Sequence, residues 1–162
     1  MRKTILLFFA CMLLQNINAQ TTYILCGKLI DTKSGEINTK KTIVVKENKI
    51  IDVMDGYVMP KSGISIDLRD KVVMAGLIDM HVHIEQEYDK NSRINTYILN
   101  EADIAFKSVG YAKVTLLNGF TSVRDLGGTG VNISLKKAIK AGVVPGPRVF
   151  TAGKSLATTG GH

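Results

Sequence analysis

The feature that most constrains the fold is an alternation of strand-like and helix-like segments that fills the chain from Leu77 onward. Three apolar or β-branched runs are predicted to be strands, and the segments between them carry apolar residues at steps of three and four, as helices do. Strands that alternate with helices pair in parallel through crossover connections, so the pattern predicts a parallel α/β sheet. The predicted strands are Leu77 to His83, Thr121 to Asp125 and Arg148 to Ala152.

The limits of the two helices are predicted from capping residues. Asn100, followed by Asp103 three residues later, is a good N-cap for a helix that ends at Gly119. Asn132 is predicted to cap a shorter helix, from about Ile133 to Ala141, which Gly142 closes. A polar loop, Glu85 to Arg93, is expected after the first strand.

Residues 20–74 are predicted to form a small β domain of the sandwich-like type. Short runs of β-branched residues alternate there with Gly, Asn, Asp and Lys turns, as in half-buried antiparallel strands. The predicted strands are Thr22 to Ile30, Thr42 to Lys46, Lys49 to Met54 and Ile64 to Leu68, with Val72 and Val73 leading onward.

The first nineteen residues are predicted to be a secretory signal peptide. Arg2 and Lys3 precede an apolar run, Ile5 to Leu14, and a polar stretch then ends in the small residue Ala19. The alternatives are a transmembrane anchor and lipid attachment at Cys11. The apolar run is only about half the roughly 20 residues that a membrane span needs, which argues against the anchor. We therefore expect an exported protein, periplasmic or extracellular, with no stable membrane insertion after the leader is removed.

The charge and the cysteines narrow the classes of protein further. The formal net charge of +7 falls by two without Arg2 and Lys3, and the other lysines are scattered among acidic residues. This distribution is typical of solvated surface and predicts no nucleic-acid partner. Cleavage of the leader removes Cys11 and leaves Cys26 alone, so no internal disulfide is expected.

Two of the three histidines lie at the end of the first predicted strand of the parallel sheet. Side chains two residues apart on a strand share a face, so His81 and His83 are expected to lie side by side, with Asp79 earlier on the same face. Two such imidazoles form half of a metal site, and Asp79 is a candidate supporting carboxylate. The alternative is a chance pair of solvent-facing histidines, and the spacing alone does not decide between the two.

The chain resembles the amidohydrolase superfamily at four motifs. AGLIDMHVH at 75–83 resembles the first-strand signature PGLIDxHxH, with Ala75 in place of the proline. NGFTSVRDLGG at 118–128 resembles the second-strand region of the imidazolonepropionase-like and prolidase-like branch. GPRV at 146–149 and TTGGH at 158–162 match the same branch, and the four motifs occur in its order.

The resemblance implies the first part, about three strands, of a (β/α)₈ TIM barrel over residues 75–162. It implies a metal-dependent hydrolase that cleaves amide or related C–N bonds by metal-activated water, with dipeptides as candidate substrates. His81 and His83 would bind a divalent ion, most commonly zinc, with one or two ions in the complete site. His162 would contact the substrate, although the alternative is a chain terminus without a role.

Two charged residues of the second predicted strand are candidates of another kind. Arg124 and Asp125 are predicted to support the site or to be structural, with an ion pair between them as the structural alternative.

The remaining ligands of the family, a lysine, two histidines and an aspartate on later strands, would lie beyond His162. We therefore expect the isolated chain to be inactive as an N-terminal piece of an enzyme with a small-molecule or dipeptide-like substrate. The sequence leaves open whether the protein forms a homo-oligomer. The alternative is a non-catalytic fragment or degenerate binding module that captures a metal weakly.

Overall fold

The computed structural model describes residues 20–60, 62–156 and 158, so the predicted leader, residues 1–19, and His162 lie outside the described residues. The chain divides into two compact units, the first ending at Ala75 and the second beginning at Gly76. No helix in the described part of the chain is long and apolar enough to cross a membrane.

The first unit is one four-stranded sheet. Its strands are β1 (Thr22–Ile30), β2 (Ile37–Lys46), β3 (Lys49–Asp55) and β4 (Ile64–Val73), in the order β3-β2-β1-β4. The prediction of antiparallel strands is confirmed for the β1–β2 and β2–β3 pairs, which are joined by short turns. It is wrong for β4, because the connection after β3 crosses to the opposite edge of the sheet and β4 then runs in the same direction as its neighbour β1. The second layer that a sandwich requires is not present among the described residues.

The interior of the first unit is formed by β1 and β2. Leu25 and Cys26 of β1 and Ile43 and Val44 of β2 are all buried. Burial raises the pKa of the Cys26 thiol, which forms no disulfide. Because the thiolate is the reactive form, the raised pKa and the burial both make Cys26 an inert core residue.

A glycine in β1 is required by the close approach of β4. The pairing of β1 with β4 shifts in register between Cys26 and Lys28, and a Cβ at Gly27 would overlap the backbone carbonyl oxygen of Arg69. We expect Gly27→Ala to lower the free energy of unfolding by at least about 1–3 kcal/mol, because backbone atoms must move to admit the methyl group.

The matched control is Gly110→Ala, in the middle of a helix of the second unit. A Cβ there would meet no atom within 4 Å, and the backbone has no positive φ. This variant is expected to gain about 0.5–1 kcal/mol from the lower entropy of the unfolded chain. Urea unfolding of both variants measures the difference, and equal effects would contradict the proposed clash.

The second unit is a three-stranded parallel sheet with helices in its connections. Its elements are β5 (Leu77–Val82), α1 (Ser92–Ile98), α2 (Glu101–Leu117), β6 (Phe120–Asp125), α3 (Val131–Lys140) and β7 (Arg148–Thr151). The strands lie in the order β5-β6-β7 and both pairs are parallel. The predicted parallel α/β sheet is therefore confirmed.

The helices agree with the sequence analysis to different degrees. Asn100 caps α2, and its side chain and that of Asp103 form a reciprocal capping box, as predicted. The cap of α3 was predicted wrongly: the helix begins at Val131 with Gly130 as N-cap, and Asn132 is its second residue. The helix α1 was missed, because its residues fall partly in a segment whose polar composition indicated a loop.

The core of the second unit lies between the sheet and the helices. It consists of five buried residues, one or more from each of the strand and helix layers: Ile84, Ala112, Val123, Leu135 and Val149. Val123, in the central strand β6, is completely buried. The carboxyl ends of the strands are therefore held against this packed core. The core thereby positions the polar residues that lie at or after those strand ends.

Candidate metal centre

Polar residues collect where the parallel strands β5 and β6 end. His83 comes directly after β5, Asp125 is the last residue of β6, and Thr151 is the last residue of β7. Because parallel strands place their carboxyl ends at one edge of a sheet, these residues lie along one edge. In open and closed parallel sheets this is the edge that carries ligand sites.

The two histidine rings at this edge lie side by side. Their centroids are 5.4 Å apart and the ring planes are inclined by 66°. Both side chains are exposed, so neither is held by burial. This arrangement is the one that the two-residue spacing predicts, while the binding of a metal by His81 and His83 stays a prediction.

The ring of His83 is oriented by a carbonyl group. Its Nδ1 lies 3.2 Å from the carbonyl oxygen of Gly127, in the turn that follows β6. A carbonyl oxygen can only accept a hydrogen bond, so this contact favours the tautomer that carries the proton on Nδ1. In the neutral ring the lone pair is then on Nε2, and a histidine whose other nitrogen donates to a carbonyl is the usual form of a metal ligand.

The two imidazoles are ligands of a type that zinc prefers, but they supply only part of a zinc site. Zinc accepts imidazole nitrogen, and a catalytic zinc has three protein ligands. Over residues 20–60, 62–156 and 158, no group of three His, Cys, Asp or Glu side chains could hold a metal. The two histidines therefore fit a zinc ion as two of its protein ligands, and a complete site would need at least one more.

Asp79 contacts the backbone of the first histidine. Its Oδ1 accepts a hydrogen bond from the His81 N–H at 2.9 Å. The pairing of β5 with β6 shifts in register between Asp79 and Val82, so the regular alternation by which Asp79 was placed with the two histidines is interrupted there. The observed contact of Asp79 is with the main chain of His81, and its role as a supporting carboxylate stays a prediction.

Arg124 and Asp125 do not form the ion pair that was the structural alternative. Neighbouring residues on a strand face opposite sides, and Asp125 is buried whereas Arg124 is exposed. The Nε of Arg124 instead donates to the carbonyl oxygen of Met80 at 2.8 Å, next to His81. Arg124 thus ties β6 to β5, and no ion pair involving either residue occurs in the described part of the chain.

Asp125 accepts three hydrogen bonds at the end of β6 and is 1% exposed. Its Oδ2 accepts from the Ile84 N–H at 3.2 Å, and its Oδ1 accepts from the Gly127 N–H at 2.9 Å. The third donor is Nδ2 of Asn132, 3.3 Å from Oδ1. The carboxylate therefore joins the segment after β5, the turn after β6 and the first turn of α3.

A second buried carboxylate, Glu85, was missed by the sequence analysis. Its Oε2 accepts from the Thr129 N–H at 2.7 Å and its Oε1 accepts from the Asn132 N–H at 2.6 Å. Glu85 thus supplies the negative charge at the start of α3, whose first turn contains no acidic residue. That missing acid was the available signal, and Gly128 was another, because a Cβ there would lie 2.6 and 2.7 Å from the Glu85 oxygens.

The side chain of Asn132 lies inside the site rather than at the surface. Its Nδ2 donates to the Gly153 carbonyl oxygen at 3.0 Å as well as to Asp125, and the residue is fully buried. Asn132 therefore connects α3 to the segment that follows β7. His162, the predicted substrate contact, lies outside the described residues, so its role stays a prediction.

Comparison with known proteins places this arrangement in a family. The model of the amidohydrolase family matches residues 72–161, which include both histidines and both buried carboxylates. Among characterised proteins, the ochratoxinase of Aspergillus niger is 31% identical over 148 residues, covering 89% of this chain and 30% of its own length. A dihydroorotase of Anaeromyxobacter sp. (strain K) is 32% identical over 65 residues, covering 38% of this chain and 15% of its own.

Solved structures share the fold. A Xaa-Pro dipeptidase with methionine bound in its active site is 43% identical, with a TM-score of 0.81 over 88% of this chain and 35% of its own. A prolidase complexed with N-methylphosphonate-L-proline is 36% identical, with a TM-score of 0.78 over 88% of this chain and 34% of its own. The chain thus spans about a third of the length of these relatives. By the family match over more than half of its residues, the chain belongs to the amidohydrolase family.

Proposed function

We propose that this chain contributes the first metal-binding strand of a metal-dependent hydrolase that cleaves C–N bonds in small, dipeptide-like amides. The observation that carries the proposal is the histidine pair at the carboxyl end of β5, with ring centroids 5.4 Å apart and with Nδ1 of His83 bonded to the Gly127 carbonyl. The similarity to a Xaa-Pro dipeptidase and to a prolidase supports the dipeptide-like substrate class.

The residues of this chain would divide the work of such a site. His81 and His83 would hold the ion, and the hydrogen bond from Nδ1 keeps Nε2 of His83 available to it. A bound zinc ion supplies a Lewis acid and an activated water to amide hydrolysis. Arg124 holds the main chain of β5 beside His81, so that the two imidazoles keep their spacing.

The activity is expected to require ligands from a longer polypeptide. The chain covers 30% of the ochratoxinase and 35% of the dipeptidase, and two imidazoles are fewer than the three protein ligands of a catalytic zinc. We therefore propose that the two histidines are completed by residues encoded beyond the His162 codon.

Hydrolysis of Xaa-Pro dipeptides by three proteins tests the proposal. The chain of 162 residues with added zinc is expected to release no amino acid above the buffer rate. The product of the reading frame continued past His162 is expected to cleave, and its His81→Ala variant is expected to lose that cleavage. Release of free proline, followed by chromatography, is the measurement.

Two results would count against the proposal. Turnover by the chain of 162 residues that disappears in His81→Ala would show that the two imidazoles need no further ligands. A zinc-loaded longer product that cleaves no dipeptide would contradict the proposed substrate class. A stop codon directly after His162 would instead favour a non-catalytic module that captures metal.

A further inference from the structure

We propose that Asp125 is a positioning residue for His83. Its carboxylate holds the main chain that carries the His83 ring near the Gly127 turn that supplies the acceptor for Nδ1, and so fixes the proton of that ring on Nδ1. The expected effect on metal binding rests on the proposed function. The expected effect on the position of the ring proton rests on the geometry alone.

The two oxygens of Asp125 bind the two residues that define the His83 environment. Oδ2 accepts from the N–H of Ile84, the residue that follows His83, at 3.2 Å. Oδ1 accepts from the N–H of Gly127 at 2.9 Å, and the carbonyl oxygen of the same glycine lies 3.2 Å from Nδ1 of His83. One carboxylate therefore sets the separation between the main chain that carries the ring and the acceptor that orients it.

Burial makes this arrangement stiff. Asp125 is 1% exposed and Ile84 is 4% exposed, so water cannot replace the carboxylate as a partner of these N–H groups without opening the core. A buried N–H without an acceptor is unfavourable, so each of these N–H groups strongly favours its present acceptor. Nδ2 of Asn132, at 3.3 Å from Oδ1, adds a third restraint.

Packing of the core does not by itself explain a carboxylate at this position. Asp125 follows the fully buried Val123 on the same face of β6, where an apolar side chain would extend the core. Desolvation of a carboxylate is unfavourable unless hydrogen bonds compensate for it. In the described part of the chain its donors all come from the three segments that meet at the candidate metal centre.

Glu85 provides the matched control. It is also a buried carboxylate that accepts two main-chain N–H groups, one in the turn after β6 and one in the first turn of α3. Its donors are Thr129 and Asn132, however, and not Ile84 or Gly127. Glu85→Gln is therefore expected to disturb the start of α3, whereas Asp125→Asn places an NH₂ group against the N–H of Ile84 or of Gly127.

The first measurement is the position of the proton on the His83 ring in the metal-free chain. Imidazole ¹⁵N chemical shifts are recorded in alkaline buffer, where a free imidazole is neutral, and are assigned with a His83→Gln variant. The unsubstituted chain and Glu85→Gln are expected to show a proton on Nδ1. Asp125→Asn is expected to show a mixture of both tautomers at His83, with His81 unchanged.

The second measurement is zinc affinity by competition with a chromophoric chelator. Asp125→Asn is expected to bind zinc about 10–100-fold more weakly than the unsubstituted chain, as for other residues that orient a metal ligand. Glu85→Gln is expected to stay close to the unsubstituted chain. Equal losses in the two variants would assign Asp125 a merely structural role and overturn the inference.

The outcomes separate this inference from the proposed function. A proton on Nε2 of His83 in the unsubstituted chain would overturn the inference even if Asp125→Asn failed to fold. A proton on Nδ1 in the unsubstituted chain, together with a longer product that binds no zinc, would contradict the proposed function and leave the positioning intact. Unaltered shifts and unaltered affinity in a folded Asp125→Asn would overturn the inference while the proposed function stood.

Discussion

Zinc affinity is expected to fall more than about 100-fold when either His81 or His83 is replaced by alanine, a larger loss than removal of a residue that only supports a ligand. The reason is that the two rings, 5.4 Å apart at their centroids, are the two imidazoles in the described part of the chain. Removal of one leaves a single imidazole. Chelator competition on the purified chain measures the change.

The third histidine provides the control for this experiment. The resemblance to the family implies that His162 would contact the substrate rather than the metal, so His162→Ala is expected to leave the zinc affinity unchanged. Similar losses in all three variants would show that zinc binds to any imidazole of the chain. That result would remove the main support of the proposed metal centre.

The second large effect is expected in the core. Leu135→Ala should lower the free energy of unfolding by about 2–5 kcal/mol, because the leucine is 4% exposed and its removal leaves a cavity among packed side chains. Leu135 lies in α3 and contacts the cluster that contains Ala112, Val123 and Val149. Urea unfolding followed by circular dichroism measures the loss.

Leu117→Ala is the matched control, since it makes the same chemical change at a residue that is 73% exposed in the last turn of α2. Its effect is expected to stay within about 0.5 kcal/mol. If the two variants lost equal stability, the assignment of the core to the layer between the sheet and the helices would be wrong.

Local features of the sequence predicted local structure well. The capping box of Asn100 and Asp103 needs residues three positions apart, and the structure forms it as predicted. The spacing of His81 and His83 likewise depends on the geometry of one strand. The order of strands and helices in the second unit follows from the same short-range periodicity.

Contacts between distant positions could not be predicted in this way. Glu85 bonds to the main chain of Asn132 across 47 positions, and Asp125 bonds to Ile84 across 41. No local pattern shows that a loop residue will cap a helix so far along the chain, which is why Asn132 was taken for the cap of α3. The pairing of β4 with β1 was mispredicted for the same reason, because the connection after β3 carries no periodic signal.

The parallel order of the second unit also has a consequence for how the chain acquires its fold. Met80 of β5 and Arg124 of β6 become neighbours although 44 positions separate them, so β5 leaves the ribosome long before its partner. At a synthesis rate of about 5–20 residues per second, β5 waits between about 2 and 9 seconds for β6. Ile78 and Met80 stay more than half exposed even in the folded unit, at 64% and 54%. The apolar side chains of β5 are therefore exposed to solvent, without their strand partner, throughout that interval.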